Sequence, residues 1–298
     1  MNCNEPDRIS NFFVIGFLPV IMCATLLIIP SIAQAVSEDT TTFKLPDGFT
    51  KSKIYANIDH KEHQFAATFF KMENMDVCKI IFVSRQTFND AFSFENIEKQ
   101  CRQQHEQIVL QVAAAFTPDW KVIEGFALQD GQKVGQDSFP GKNKKLFYKG
   151  LLLIKDGYTA IDYLDSLQDR DAFIADAVRN KCSLFQQVAA IVNGNVNTKV
   201  DLPGTAKRRF FVEIVEDHQS KFGIVSFHLP TKFSEAVEIL TKMNKDNFTV
   251  RNALYLDMGA VSEGYVYDNM GEAHLIGDPH KDISRYTNLL VMYKNNKQ

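Results

Sequence analysis

From Thr40 onward, short stretches of the chain alternate apolar and polar side chains with a period of two, the spacing that sends every second residue to one face of a strand. On that pattern Ser52 to Ile58, Gln64 to Lys71 and Cys78 to Val83 read as strands. The pattern then changes. A Glu/Gln-rich stretch from Ser93 to His105 predicts a helix with Ser93 as its N-cap, Glu95 in the first turn, and Phe92 and Ile97 as a hydrophobic staple. Gln107 to Phe116 reads as a buried strand, and Asp130-Gly131 and Asp156-Gly157, each flanked by apolar residues, mark hairpin turns. A second helix is expected over Arg170 to Asn180, then a strand from Ser183 to Val192 that ends at the turn Asn193-Gly194. Two more strands follow, Phe210 to Val215 and Phe222 to Phe227. The best amphipathic helix is Phe233 to Met243, with Phe233, Ala236, Val237, Leu240 and Met243 on one face, and Asn252 to Leu256 is a strand after it. Many strands with about three helices, and no linker or solenoid period, predict a single α+β domain built on a mixed β-sheet.

The N-terminus breaks the pattern, because Phe12 to Ile29 contains no charged residue and is followed by Pro30 and Ala33-Gln34-Ala35. This reads as a signal peptide over residues 1–35. An uncleaved anchor is the alternative, since Arg8 is offset by Glu5 and Asp7 and the apolar run is long. Either reading puts the body outside the cytoplasm, secreted or periplasmic, with membrane contact only if the segment stays attached. Removing 35 residues from 298 leaves a mature chain of 263. Within it, residues 36–105 match no pattern that carries chemistry, and residues 106–298 hold every candidate below.

Composition sharpens three points. The 24 Phe against one Trp suit strand cores, and 33 basic against 36 acidic residues exclude a general nucleic-acid binder. The mature cysteines, Cys78, Cys101 and Cys182, are odd in number with no Cys-x-x-Cys pair, so at most one intramolecular disulfide can form; buried thiols are the commoner outcome. His274, Asp278 and His280 are close in sequence, but their spacing fits no zinc motif and Pro279 marks a loop. No metal or cofactor is expected.

From about Glu106 onward, four ordered segments carry a resemblance. The first is Val112-Ala113-Ala114-Ala115-Phe116, followed by Glu124-Gly125-Phe126-Ala127-Leu128 and a hairpin. The second is Leu151 to Gly157, and the third is Ala190 to Asn195 leading to Arg208-Arg209-Phe210-Phe211-Val212. The fourth is the amphipathic helix followed by Asn252-Ala253-Leu254-Tyr255-Leu256-Asp257-Met258-Gly259-Ala260-Val261-Ser262. In this order they resemble the phosphodiester glycosidase family, and the fourth is the distinctive one. Three departures stand out: Ala113-Ala114-Ala115 replaces the family's Asn-Gly-Gly, the glycine-rich loop after the family's Asp is kept only as Met258-Gly259-Ala260, and Arg209-Phe210 replaces its Arg-Thr pair.

The resemblance implies hydrolysis of a sugar-1-phosphodiester in an envelope or extracellular glycan. That chemistry needs carboxylates around an oxocarbenium-like centre and cationic donors on the phosphate. Asp257, at a strand end before a Gly-containing loop, is the first catalytic candidate; Glu124 and Glu263, each beside a glycine, are the others. Arg209 holds the family's arginine position, with Arg208 beside it, and strand alternation turns one toward a cleft and the other toward solvent. Gly259 and Ser262 complete the expected substrate contacts. The alternative is a catalytically inactive member of the fold, an envelope protein that binds glycan or a protein partner.

Overall fold

The alternating stretches do become strands, and there are more of them than the pattern reveals. A computed structural model describes residues 35–38, 43–58, 61–88, 91–104, 106–117, 122–136, 148–244, 248–257, 262–279 and 286–295, with backbone alone for 35–38. The apolar run 12–29 lies outside them. In chain order the first strands are β1 (Ala35–Glu38), β2 (Phe49–Ile58), β3 (Lys61–Met72) and β4 (Cys78–Ser84), before helix α1 (Phe94–Gln103). Next come β5 (Glu106–Ala113), β6 (Ile123–Gln129), β7 (Gln132–Lys133), β8 (Gly135–Gln136), β9 (Gly150–Lys155) and β10 (Tyr158–Tyr163). After α2 (Arg170–Arg179) follow β11 (Ser183–Val192), β12 (Asn195–Val196), β13 (Thr205–Ala206), β14 (Arg209–Glu216), β15 (Gln219–Phe227) and β16 (Thr231–Lys232). Helix α3 (Phe233–Lys242) precedes β17 (Phe248–Tyr255), β18 (Gly264–Tyr267), β19 (Ala273–Ile276) and β20 (Asn288–Asn295).

These strands form a thirteen-stranded sheet whose main path runs β1-β2-β3-β15-β14-β17-β11-β6-β7, and a five-stranded sheet ordered β19-β18-β5-β20-β4. The described residues are therefore mainly β, with 53% of them in strands and 15% in helices, which corrects the expected α+β class. The three α-helices are present, but each has only ten residues, under three turns. Strands that local pattern missed, above all β18, β19 and β20, tip the balance.

Cluster membership gives the layering. One core contains Phe82, Leu110, Val112, Leu290 and Met292 of the small sheet together with Phe70, Phe185, Phe211, Ile224 and Leu254 of the large one, so the two sheets pack face to face. The rings of Phe82 and Phe185 meet across that interface at 4.9 Å. The outer face of the large sheet carries Phe210, Val212 and Val225 against Phe233, Ala236, Val237 and Leu240 of α3. The outer face of the small sheet packs on Phe94, Ile97 and Cys101 of α1. Strands β2 and β3 belong to the large sheet and β4 to the small one, so the segment before Glu106 is built into both.

Local chemistry explains several elements. Ser93 caps α1 by accepting the Asn96 N–H at 3.0 Å, and Phe92 and Ile97 are buried in the same cluster. The turn Asp130-Gly131 joins β6 to β7 with φ of +50° and +79°, the left-handed pair that a two-residue hairpin requires. Cys78, Cys101 and Cys182 are free and buried.

Candidate functional site

Strand β17 lies between β14 and β11 in the large sheet. Its ladder outlasts it: the Leu256 N–H donates to the Arg209 carbonyl at 2.9 Å, and the Asp257 N–H donates to the Ala114 carbonyl at 3.0 Å. Asp257 thus crosses from the large sheet to the end of β5 in the small one, and it is 4% exposed. The residues after it, 258–261, lie outside the described set, and Gly259 with them.

The turn that receives Asp257 is held from several directions. The Ala114 carbonyl also accepts from Gln187 Nε2 at 3.1 Å. Asn288 grips Ala115 twice, its Oδ1 accepting the Ala115 N–H at 2.7 Å and its Nδ2 donating to the Ala115 carbonyl at 3.1 Å. The Glu124 N–H donates to the Phe116 carbonyl at 2.8 Å, which sets buried Glu124 on the same turn as Asp257. Ala113, Ala114 and Ala115 are all buried, so the turn offers no polar side chain and takes its order from Gln187 and Asn288.

Arg208, just before β14, and Arg209, its first residue, go to opposite faces of the large sheet, and both are buried, at 4% and 0% exposure. The expectation that one would face solvent fails because α3 covers one face of the large sheet and the small sheet covers the other. Arg208 is fully engaged: Nε donates to the Thr231 carbonyl, Nη2 to the Gly204 carbonyl, and Nη1 to the Tyr255 hydroxyl at 3.2 Å. Its guanidinium also lies 5.4 Å from the Tyr255 ring and 5.8 Å from that of Phe233. These are contacts that hold the fold. Tyr255 in turn sits within electrostatic reach of Arg208, Asp257 and Arg209, and burial, the largest effect, raises its phenol pKa. Tyr148 is a second buried phenol near Asp257; burial and then that carboxylate raise its pKa as well.

Arg209 is different. Nη2 donates to the Ser262 carbonyl at 3.0 Å and Nε to Ser226 Oγ at 3.4 Å, while Nη1 is buried with no hydrogen-bond acceptor among the described residues. No carboxylate among them lies within ion-pair distance of it. Burial pushes its guanidinium pKa down to about 10, against the opposing pull of the Tyr286 and Tyr255 phenols. Two glycines border it. A Cβ on Gly264 would stand 3.3 Å from Nη1, and one on Gly277, at φ +91°, would stand 1.9 Å from the Ser262 carbonyl oxygen.

Ser262 is 8% exposed and bonded to Asp278, its Oγ accepting the Asp278 N–H at 3.1 Å. Glu263 turns away toward α1, where the hydroxyls of Tyr265 and Tyr286 donate to its carboxylate at 2.6 and 3.0 Å. It lines a groove of about 270 Å³ with Phe94, Glu98 and Tyr267. Backbone hydrogen bonds therefore bring Asp257 and Glu124 to one turn and tie Leu256, the residue before Asp257, to Arg209, while Arg209 bonds the Ser262 carbonyl and Glu263 bonds Tyr286. A larger groove, about 430 Å³, lies elsewhere, lined by Lys79, Asp130, Tyr158 and Lys181 among others.

The local His/Asp cluster does not assemble as spaced in sequence. His274 Nε2 lies 3.1 Å from Asp268 and its ring stacks on Phe43 at 3.9 Å; Asp278 pairs with Lys207, and His280 lies outside the described residues. Asp268, Glu272 and His274 have donor atoms within 4.8 Å of one another, the group that could hold a metal ion. One Asp268 oxygen already accepts two backbone N–H groups, from Met270 and Glu272. Sequence reasoning missed Tyr148, Gln187, Tyr286 and Asn288, which enter only through contacts between distant segments.

No protein-family model matches the chain, and no curated protein sequence matches it. Among solved structures, the chain is similar to the catalytic domain of zebrafish N-acetylglucosamine-1-phosphodiester alpha-N-acetylglucosaminidase, auto-inhibited by its pro-peptide. The TM-score is 0.45 and the identity 14%, over 87% of this chain and 86% of that one. A hypothetical protein from Synechocystis gives a TM-score of 0.45 at 11% identity, over 88% of this chain and 68% of that one.

Proposed function

We propose that the chain is an exported hydrolase of sugar-1-phosphodiesters, with Asp257 as the catalytic carboxylate and Arg209 on the phosphate. The observation that carries the reading is Arg209 itself: a fully buried guanidinium with one nitrogen unfilled among the described residues and no carboxylate paired to it. Burying such a cation costs several kcal/mol, roughly, unless an anion compensates it. A phosphodiester matches guanidinium geometry and brings the missing charge. Asp257 follows Leu256, whose N–H bonds the Arg209 carbonyl, so the backbone that carries this buried carboxylate runs beside the strand that carries the guanidinium.

In the reaction, water adds to the anomeric carbon as the bond from that carbon to the phosphate oxygen breaks. The phosphomonoester leaves with the electron pair, and the proton lost by water passes to Asp257 or to solvent. A phosphate leaving group is already a stable anion, so the main demand is for charge stabilisation and a base. Arg208, spent on Thr231, Gly204 and Tyr255, has no part in this. The test is release of reducing sugar from a sugar-1-(methyl phosphate) by the chain from Val36 onward. Turnover in the wild type that survives unchanged in Asp257→Asn removes the assigned role.

One observation favours a second reading, an exported protein that binds such a glycan without cleaving it. The buried turn Ala113-Ala114-Ala115 gives no polar side chain to the site. Binding of the intact diester without any sugar release selects this reading.

A further inference from the structure

Arg209 stands in an ordered polar row. It pairs with Ser226 across β14 and β15, and Ser226 pairs with Thr68 across β15 and β3. Two residues further along the same strands and the same face are Phe211, Ile224 and Phe70, all in the core between the sheets. The row is thus the place where that apolar face gives way to hydrogen-bonding groups. Beyond it, the Phe227 N–H donates to the Arg208 carbonyl at 2.8 Å, so the ladder runs on past Arg209. Two residues before Arg209 and two after Ser226, just outside the two strands, stand Lys207 and His228.

Both are bonded to the row or to its neighbours. His228 Nε2 lies 2.8 Å from Thr68 Oγ1. Lys207 Nζ contacts Asp278 Oδ1 at 2.5 Å, Asp278 is bonded to Ser262, and the Ser262 carbonyl accepts from Arg209. Burial, then the charges of Lys207 and Arg209, push the His228 imidazole pKa down to about 4, which places both cations within electrostatic reach of its ring. Of these three side chains only Lys207 contacts a carboxylate among the described residues, that of Asp278, whose side chain is 66% exposed. A buried guanidinium and an ammonium, with a neutral imidazole within reach of both, make a donor set with too little negative charge of its own.

We infer that Arg209 Nη1, Lys207 and His228 form a subsite for a tetrahedral oxyanion of the phosphate class, Arg209 supplying the buried charge and Lys207 and His228 the outer donors. The identity of the anion as the substrate's phosphoryl group rests on the reading proposed above. The subsite assigns work to two residues outside the resemblance, and it predicts that the phosphomonoester product binds there as well.

The test titrates the chain from Val36 onward with inorganic phosphate and with phenyl phosphate by calorimetry. Steady-state kinetics on the sugar phosphodiester run in parallel. Lys207→Met and His228→Gln are each expected to weaken binding of both ligands about tenfold and to raise KM more than they lower kcat, with melting temperatures close to wild type. Asp257→Asn is expected to keep phosphate binding. Phosphate affinity unchanged in both folded variants, or no phosphate binding by the wild type, overturns the subsite. Phosphate binding with the expected losses but no sugar release leaves the subsite standing and sinks the hydrolase. Sugar release with KM unchanged in both variants does the reverse.

Discussion

The Asp257 N–H is hydrogen-bonded to the Ala114 carbonyl at 3.0 Å, and this bond joins the end of a large-sheet strand to the end of a small-sheet strand. It fixes the backbone that carries the carboxylate without using the carboxylate. Asp257→Asn should therefore leave the fold intact while sugar release falls by about 10²-fold or more, the usual scale for losing a general base. Circular dichroism with a kcat measurement checks both halves.

Asn288 is the strongest support of the same turn, because it satisfies both the N–H and the carbonyl of Ala115, all three groups being buried. Asn288→Ala leaves two buried backbone groups without that partner, and stability should drop by about 2–4 kcal/mol. Urea unfolding at neutral pH reads the loss directly; a change below about 0.5 kcal/mol means that solvent or a neighbour replaces the side chain.

Gly277 combines a φ of +91° with a carbonyl 1.9 Å from where a Cβ would go. Gly277→Ala should displace the Ser262 carbonyl and with it the bond to Arg209 Nη2. The expected result is a lower melting temperature, with a penalty of about 1 kcal/mol or more from backbone strain, and weaker phosphate binding. An alanine variant that melts and binds like wild type contradicts the packing around Arg209.

Local pattern recovers what local chemistry decides. The Ser93 cap and the stripe Phe233, Ala236, Val237, Leu240 locate α1 and α3, and the strand over Ser183–Val192 agrees residue for residue with β11. It fails where burial erases the period. Strand β20 reads Asn-Leu-Leu-Val-Met-Tyr-Lys-Asn because it is covered on both faces and paired on both sides, by β4 and β5, so nothing alternates. The turn Asp217-His218 takes φ of +49° and +65° with no glycine to announce it. At the site, Asp257 and Arg209 stand out from their neighbours, but Asn288 acts on a residue 173 positions away. No window of sequence contains that relationship.

A carboxylate–ammonium cluster on the large sheet makes stability depend on acid. Glu73 and Glu216 each contact Lys71 and Lys221, at 2.6 to 2.9 Å. Burial pushes both carboxyls up, but the hydrogen bonds from Lys221 and Lys71 outweigh it and hold them below the ordinary 4.5. The unfolded chain takes up these protons first as pH falls. The stabilisation is therefore whole above about pH 5 and disappears as pH drops through the lowered folded values. Melting temperature followed from pH 6 to pH 3 should fall more steeply in wild type than in Glu73→Gln, and parallel curves refute the assignment.

Burial pushes the Cys78 thiol up to about 11 and the Cys101 thiol up to about 12. At pH 8 the thiolate fraction of either is on the order of 10⁻³ or less. A thiol reagent should thus label them at least about a hundredfold more slowly in the native protein than in denaturant, whether or not the compartment is oxidising.

Strand β20 fills the slot between β4 and β5, yet it is the last strand of the described chain, about two hundred positions after β4. While the chain is still being synthesised, β4 and β5 wait with an empty lane between them. Contacts of such long sequence separation form slowly, so the small sheet, and the turn that Asn288 grips, acquire native order only after β20 itself has been made, about two hundred residues behind β4.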